Sequence, residues 1–151
     1  MAINDFTVIA IDSSTTHCGV AIFNNTTFLR SITYDFGGTY SLYKLRDIVK
    51  VFENLFCDEA PKIVLIETPV PCRNSKAVTS LNQVAGAISA VAFITGADVE
   101  FIHNKEAKKL TGVKTKEDSI NRAKLITPTK DISEHEADAI MIAIAYFMKH
   151  S

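Results

Sequence analysis

The chain has 151 residues, of which 47% are hydrophobic and 22% charged, with a formal net charge of −1. That length buries one core without staples, and the composition excludes a disordered chain. No uninterrupted apolar run reaches the roughly 18 residues of a membrane span, and "MAINDFT" lacks the basic start of a signal peptide. The expectation is one domain over residues 1–151, without a membrane partner, in a cytoplasm. Cys18, Cys57 and Cys72 are odd in number and form no C-x-x-C pair, so they read as free thiols and not as a disulfide framework or zinc ribbon.

Three strand-like runs come first: "FTVIAID", "CGVAIF" and "TFLRSITYDF". Each is rich in β-branched or aromatic residues, and the short polar turns "SSTTH" and "NNT" separate them, which describes an antiparallel meander. "GGT" breaks the pattern. From Ser41 to about Phe56, the residues Leu42, Leu45, Ile48, Val49, Phe52 and Phe56 recur at helical spacing, with Ser41 able to cap and Pro61 beyond the end. "KIVLIE" has the continuous apolar pattern of a strand buried on both faces. Residues 75–95 predict a long helix with many small side chains, suited to close approach by the sheet or by a second subunit. "DVEFI" predicts a short strand. Two short helices around "TGVKTKED" and a final helix from about Ser133 to Lys149 complete the chain. This succession of three strands, then alternating helix and strand, then helices, implies a mixed sheet with helices on both faces.

Charge is unevenly distributed. Eight of the sixteen basic residues fall between Lys105 and Lys130: Lys105, Lys108, Lys109, Lys114, Lys116, Arg122, Lys124 and Lys130. With Glu106, Glu117 and Asp118 this span carries a net +5. Such a stretch in a near-neutral protein is the footprint of a polyanion partner, the alternative being a solvated helical face.

Two acids end apolar strands: Asp12 closes "TVIAID" and Glu67 closes "KIVLIE". Burying a lone carboxylate costs several kcal/mol unless it is paired, hydrogen-bonded or bound to a cation. Asp12 could also simply open a turn with Ser13 and Ser14. If the two strands are neighbours, the acids lie about a strand spacing apart, close enough to share a divalent ion. The last helix adds His135 and Asp138, spaced i and i+3 on one face, in an otherwise apolar run from Ala137 to Phe147. Ser133 and Glu136 fit a capping box, which assigns Glu136 to the cap. Singly, His135 reads as a turn or surface histidine and Asp138 as a first-turn acid complementing the helix dipole. Together, oxygen ligands with one imidazole suit Mg²⁺ or Mn²⁺ and not zinc.

These motifs resemble the RuvC family of Holliday junction resolvases, within the ribonuclease H-like nuclease superfamily. The resemblance spans nearly the whole chain. It rests on "IAIDSSTTHCGVAIF", "IVLIETPVPCRNSKAVTSLNQVAGAI", "KKLTG" and "HEADAIMIAIAYF". It implies a ribonuclease H-like α/β fold with a five-stranded mixed sheet, its first three strands antiparallel. It implies four catalytic metal ligands, Asp12, Glu67, His135 and Asp138, holding two Mg²⁺ ions with Mn²⁺ able to substitute. Hydrolytic nicking of four-way junctions, forks or flaps to 5′-phosphate and 3′-hydroxyl ends would follow, carried out by a homodimer. Arg73, Lys76, Lys105, Lys108, Lys109, Lys114 and Lys116 would contact DNA, with either Lys114 or Lys116 at the scissile phosphate. The chain departs from the family pattern in having Ser13-Ser14 where Pro-Gly is common, a shorter lysine loop, and Val70 where an aromatic wedge is often found. These features are similar to those of phage-encoded members, in a bacterial or phage-infected cytoplasm. The competing readings are a non-cutting module for branched DNA or protein, a ribonuclease H acting on RNA–DNA hybrids, and a sugar-kinase or actin-type ATPase fragment.

Overall fold

The structure is a computed structural model, and it describes residues 5–127 and 131–151. Lys130 and the first four residues of "MAINDFT" lie outside that description. The elements run β1 (Thr7–Asp12), β2 (His17–Asn24), β3 (Thr27–Asp35), α1 (Leu42–Glu59), β4 (Ile63–Glu67), α2 (Ser75–Ile94), β5 (Asp98–Ile102), α3 (Asn104–Thr111), α4 (Lys116–Lys124) and α5 (Glu134–Lys149). This is the order the sequence implies.

The five strands form one sheet in the order β3-β2-β1-β4-β5. The β1–β2 and β2–β3 pairs are antiparallel, whereas β1–β4 and β4–β5 are parallel. Parallel neighbours need crossover connections, and α1 and α2 provide the helical parts of them. Strand periodicity divides the core. Ile9, Ile11, Val20, Ile22, Val64 and Ile66 face α1 and α2, packing on Phe52, Phe56, Val84 and Ile88. Val8, Ala10, Ala21, Phe23 and Leu65 face the other way, toward Ile140 and Ala143 of α5 and toward α3 and α4.

The helix ends follow local chemistry. Ser41 Oγ accepts from Lys44 N at the start of α1, and Ala60 ends that helix in the left-handed region, directly before Pro61. Asn74 caps α2 by accepting from Lys76 N and Ala77 N. By length and composition alone, α2 is apolar enough to cross a membrane, which a search for uninterrupted apolar runs does not detect. Its inner side packs against α1, β4 and β5. Only 28% of that stretch is buried, and Phe93 and Ile94 at its end are exposed.

One correction concerns Glu136. Ser133 caps α5 by accepting from Glu136 N at 3.0 Å, as the spacing implies. The Glu136 side chain, however, turns into the sheet and accepts from Ser31 Oγ and from Thr33 Oγ1 of β3, the latter at 3.0 Å. A buried carboxylate gains more from two hydroxyl donors in a low-dielectric interior than from closing an exposed cap. The result is a tether between the start of α5 and β3.

Candidate metal centre and nucleic-acid interface

Register brings the predicted carboxylates together. Ile11 pairs with Ile66 in the parallel β1–β4 ladder, so Asp12 and Glu67 leave the sheet side by side at the carboxyl ends of adjacent strands. Open α/β sheets bind ligands at such an edge. On its other side Asp12 pairs with Gly19 of β2. A Cβ at Gly19 would lie 1.9 Å from the His135 carbonyl oxygen, so the first turn of α5 rests on bare strand backbone. That contact and the Glu136 tether set His135 and Asp138 beside the strand ends.

His135 Nδ1 lies 3.7 Å from Asp12 Oδ2. Burial, then the Glu67 carboxyl in hydrogen-bonding contact, then Asp138 and Glu134, push the Asp12 carboxyl up to about 9. Burial followed by Glu67 and Glu134 raises Asp138 to about 6, with Lys116 and the Ser119 hydroxyl opposing. Among the described residues, no Lys or Arg forms an ion pair with Asp12, Glu67 or Asp138. Nor does any group of three or more His, Cys, Asp and Glu close around one point tightly enough to hold an ion. The four side chains therefore meet as neighbours and not as a finished ligand shell. The donor set still fits a hard divalent cation: three carboxylates and one imidazole, with burial and mutual repulsion raising Asp12 and Asp138.

Next to these groups is a small cavity of about 40 Å³ lined by Glu67, Asn104, Lys108, Ser119 and Asp138 among others. On the far side of Glu67 a groove of about 180 Å³ is bounded by Ser13, Thr68, Pro69, Val70 and Leu81. Ser13 and Ser14 lie in the loop between β1 and β2, where Ser14 Oγ accepts from Thr16 N at 3.2 Å. Cys18 is buried, and that burial pushes its thiol up to about 12, whereas Cys57 and Cys72 are exposed.

The basic residues are less uniform than the sequence implies. Lys105, Lys108 and Lys109 project from α3, and Arg73 and Lys76 are exposed around the start of α2. Lys116 Nζ lies 3.3 Å from Glu134 Oε1, within the field of Asp138, whereas the backbone N–H of Lys114 donates to Asp118 at the α4 cap. Lys116 is thus the member of that pair nearer the carboxylates. Arg122 is structural, donating to the Thr111 carbonyl at the end of α3.

A family model described as crossover junction endodeoxyribonuclease RuvC matches residues 8–146. The chain belongs to the RuvC family. Nuclease character, DNA binding and a role in recombination and repair come with that membership. Among solved structures, T. thermophilus RuvC in complex with Holliday junction substrate is similar over 96% of this chain and 94% of its own, with TM-score 0.82 and 19% identity. A second Thermus thermophilus RuvC structure gives 95%, 95%, 0.78 and 20% for the same quantities. The yeast mitochondrial Holliday junction resolvase Ydc2 gives 95%, 82%, 0.70 and 10%. At these identities the likeness is one of fold, and it agrees with the ribonuclease H-like sheet the sequence implies. A comparison with curated proteins returned no match.

Three residues of this RuvC-family site have no motif to announce them. Asn104 Nδ2 donates to Glu67 Oε1 at 2.7 Å. Ser119 faces Asp138 from α4, supplying a partner that Asp138 lacks on its own helix. His17 stacks on His135 with ring centroids 5.3 Å apart, and its Nε2 lies 3.5 Å from Asp35 Oδ1. The only sequence signal for Asn104 is its position two residues beyond a strand that runs parallel to "KIVLIE".

Proposed function

We propose that the chain is a metal-dependent, structure-specific endodeoxyribonuclease that resolves Holliday junctions, acting over residues 1–151 as one nuclease domain. The observation that carries this is the meeting of Asp12 with Glu67 and His135 at the carboxyl ends of β1 and β4, where no Lys or Arg among the described residues forms an ion pair with the carboxylates. In this reading Asp12, Glu67, His135 and Asp138 hold two Mg²⁺ ions, with Mn²⁺ able to replace them. Divalent cations held there would supply an activated water and charge stabilisation for the leaving 3′ oxygen, the chemistry of an in-line displacement that leaves 5′-phosphate and 3′-hydroxyl ends. Burial at the strand ends keeps the ligand oxygens in a low dielectric, where their charge acts most strongly.

Arg73, Lys76, Lys105, Lys108, Lys109, Lys114 and Lys116 hold the DNA backbone on both sides of the carboxylates. Phosphate contacts of this kind make affinity fall steeply with salt, and Lys109→Ala should reduce the slope of log K against log salt by about 1. The test of the reading is cleavage of a labelled four-way junction in Mg²⁺, beside linear duplex, fork, flap and RNA–DNA hybrid. Paired nicks in the junction, absent from duplex, are expected. Cutting of forks and flaps as well is the expected cost of Val70 standing at the wedge position. Junction binding without cleavage in any metal would convert the protein into a binding module, and preference for the hybrid would make it a ribonuclease H.

The outer side of α2 supports a homodimer. Gly86, Ala90 and Phe93 are exposed along it, and a Cβ at Gly86 would meet nothing within 4 Å. Small side chains let a second helix approach closely. Ala90→Glu should turn a dimer into a monomer in sedimentation at micromolar concentration, leaving the melting profile cooperative. A wild-type protein that sediments as a monomer on junction DNA would refute the assignment. As a DNA-acting enzyme it would work in the cytoplasm of a bacterium or a phage-infected host.

A further inference from the structure

Glu67 has a dedicated neutral donor. The parallel β4–β5 ladder pairs Glu67 with Ile102, and Thr68 N donates to the Ile102 carbonyl at 2.9 Å. The chain turns at His103 and starts α3 at Asn104, so the ladder itself delivers Asn104 to the side of Glu67. Asparagine near a helix start ordinarily accepts from the helix's own backbone. Here Asn104 lies one residue inside, and His103 at the cap makes no side-chain bond to the helix. The Asn104 amide instead donates across to Glu67 Oε1 at 2.7 Å.

A neutral amide suits this position. It fixes the carboxylate's rotamer and occupies one oxygen while leaving the negative charge intact for a cation. An ammonium there would compete with the cation, and a second carboxylate would repel Glu67. Lys108, one turn further on the same helix, lines the same cavity without taking that role. Building on the metal-site reading above, we propose that Asn104 is a positioning residue that orients Glu67 for cation binding. Groups that hold a metal ligand in place change metal affinity by about 10- to 100-fold when removed.

The test compares wild type with Asn104→Ala and with Asn104→Leu, which keeps the side-chain volume but not the donor. Mn²⁺ binding to the full chain is followed by titration calorimetry, and the Mg²⁺ dependence of junction cleavage is measured alongside. Both variants should bind Mn²⁺ about tenfold or more weakly and need correspondingly more Mg²⁺ for half-maximal cleavage. Junction affinity in EDTA should stay at the wild-type value. Unchanged Mn²⁺ affinity in both variants, with wild type binding normally, overturns the role of Asn104 alone. A loss seen only in Asn104→Ala overturns it too, because volume and not the donor would then be responsible. A wild-type protein that takes up no Mn²⁺ overturns the underlying metal site, and the role of Asn104 with it.

Discussion

Asp12→Asn should bring junction cleavage down by roughly a thousandfold or more, since the carboxylate's share of transition-state charge stabilisation at a metal site is several kcal/mol. The same change should make the metal-free protein harder to melt at pH 8. Burial and the adjoining Glu67 raise Asp12 from 3.8 to about 9 in the folded state. Between those values the folded protein keeps a proton that the unfolded chain has released. The associated stability is therefore fully present below about pH 4 and is lost as pH rises toward 9, by at most about 1.4 kcal/mol per pH unit. Asparagine has no such titration. Melting in EDTA at pH 5, 7 and 9 should show a wild-type decline that is shallower in the variant. Mg²⁺ at pH 8 should raise the wild-type melting temperature and leave the variant's unchanged. Wild-type cleavage by Asp12→Asn would remove this residue from the proposed metal site.

Gly19→Ala tests the placement of α5 without altering the side chain of any candidate ligand. The added methyl would meet the His135 carbonyl oxygen at 1.9 Å, against an ordinary contact of 3.4–4 Å, so strand and helix must part by more than 1 Å. Misplacement on that scale costs about a hundredfold in rate, and overpacking of this kind destabilises by about 1–3 kcal/mol. Junction binding should survive. Cleavage assays beside chemical denaturation make the comparison, and a variant with wild-type rate and stability would show that α5 is not seated on β2.

The sequence carries most of the fold because its strands are strongly patterned. "TVIAID" and "KIVLIE" alternate or run apolar over the length the sheet buries, and Ser41, Pro61 and Ser133 mark helix ends as local chemistry requires. The candidate site is legible where a charged residue interrupts such a pattern, as Asp12, Glu67 and Asp138 do. What is not legible depends on which elements become neighbours. The direction of Glu136 was decided by Ser31 and Thr33, about a hundred residues away. The His17–His135 stack and the Asn104–Glu67 bond likewise arise from register and helix seating, for which no local periodicity exists. Lys116 separates from Lys114 only through its partner Glu134, which belongs to another helix.

The Asp12–Asp138 neighbourhood also orders events during biosynthesis. Asp12 leaves the ribosome early, and Glu67 and Asn104 follow with β4 and α3. The carboxylates have no complete set of neighbours until α5, beginning at Glu134, has emerged and settled onto Gly19. At about 5–20 residues per second, the five strands are therefore made some seconds before the helix that completes this cluster of carboxylates. A nascent or interrupted chain that stops before α5 would carry Asp12 and Glu67 at the strand ends and lack His135 and Asp138 beside them.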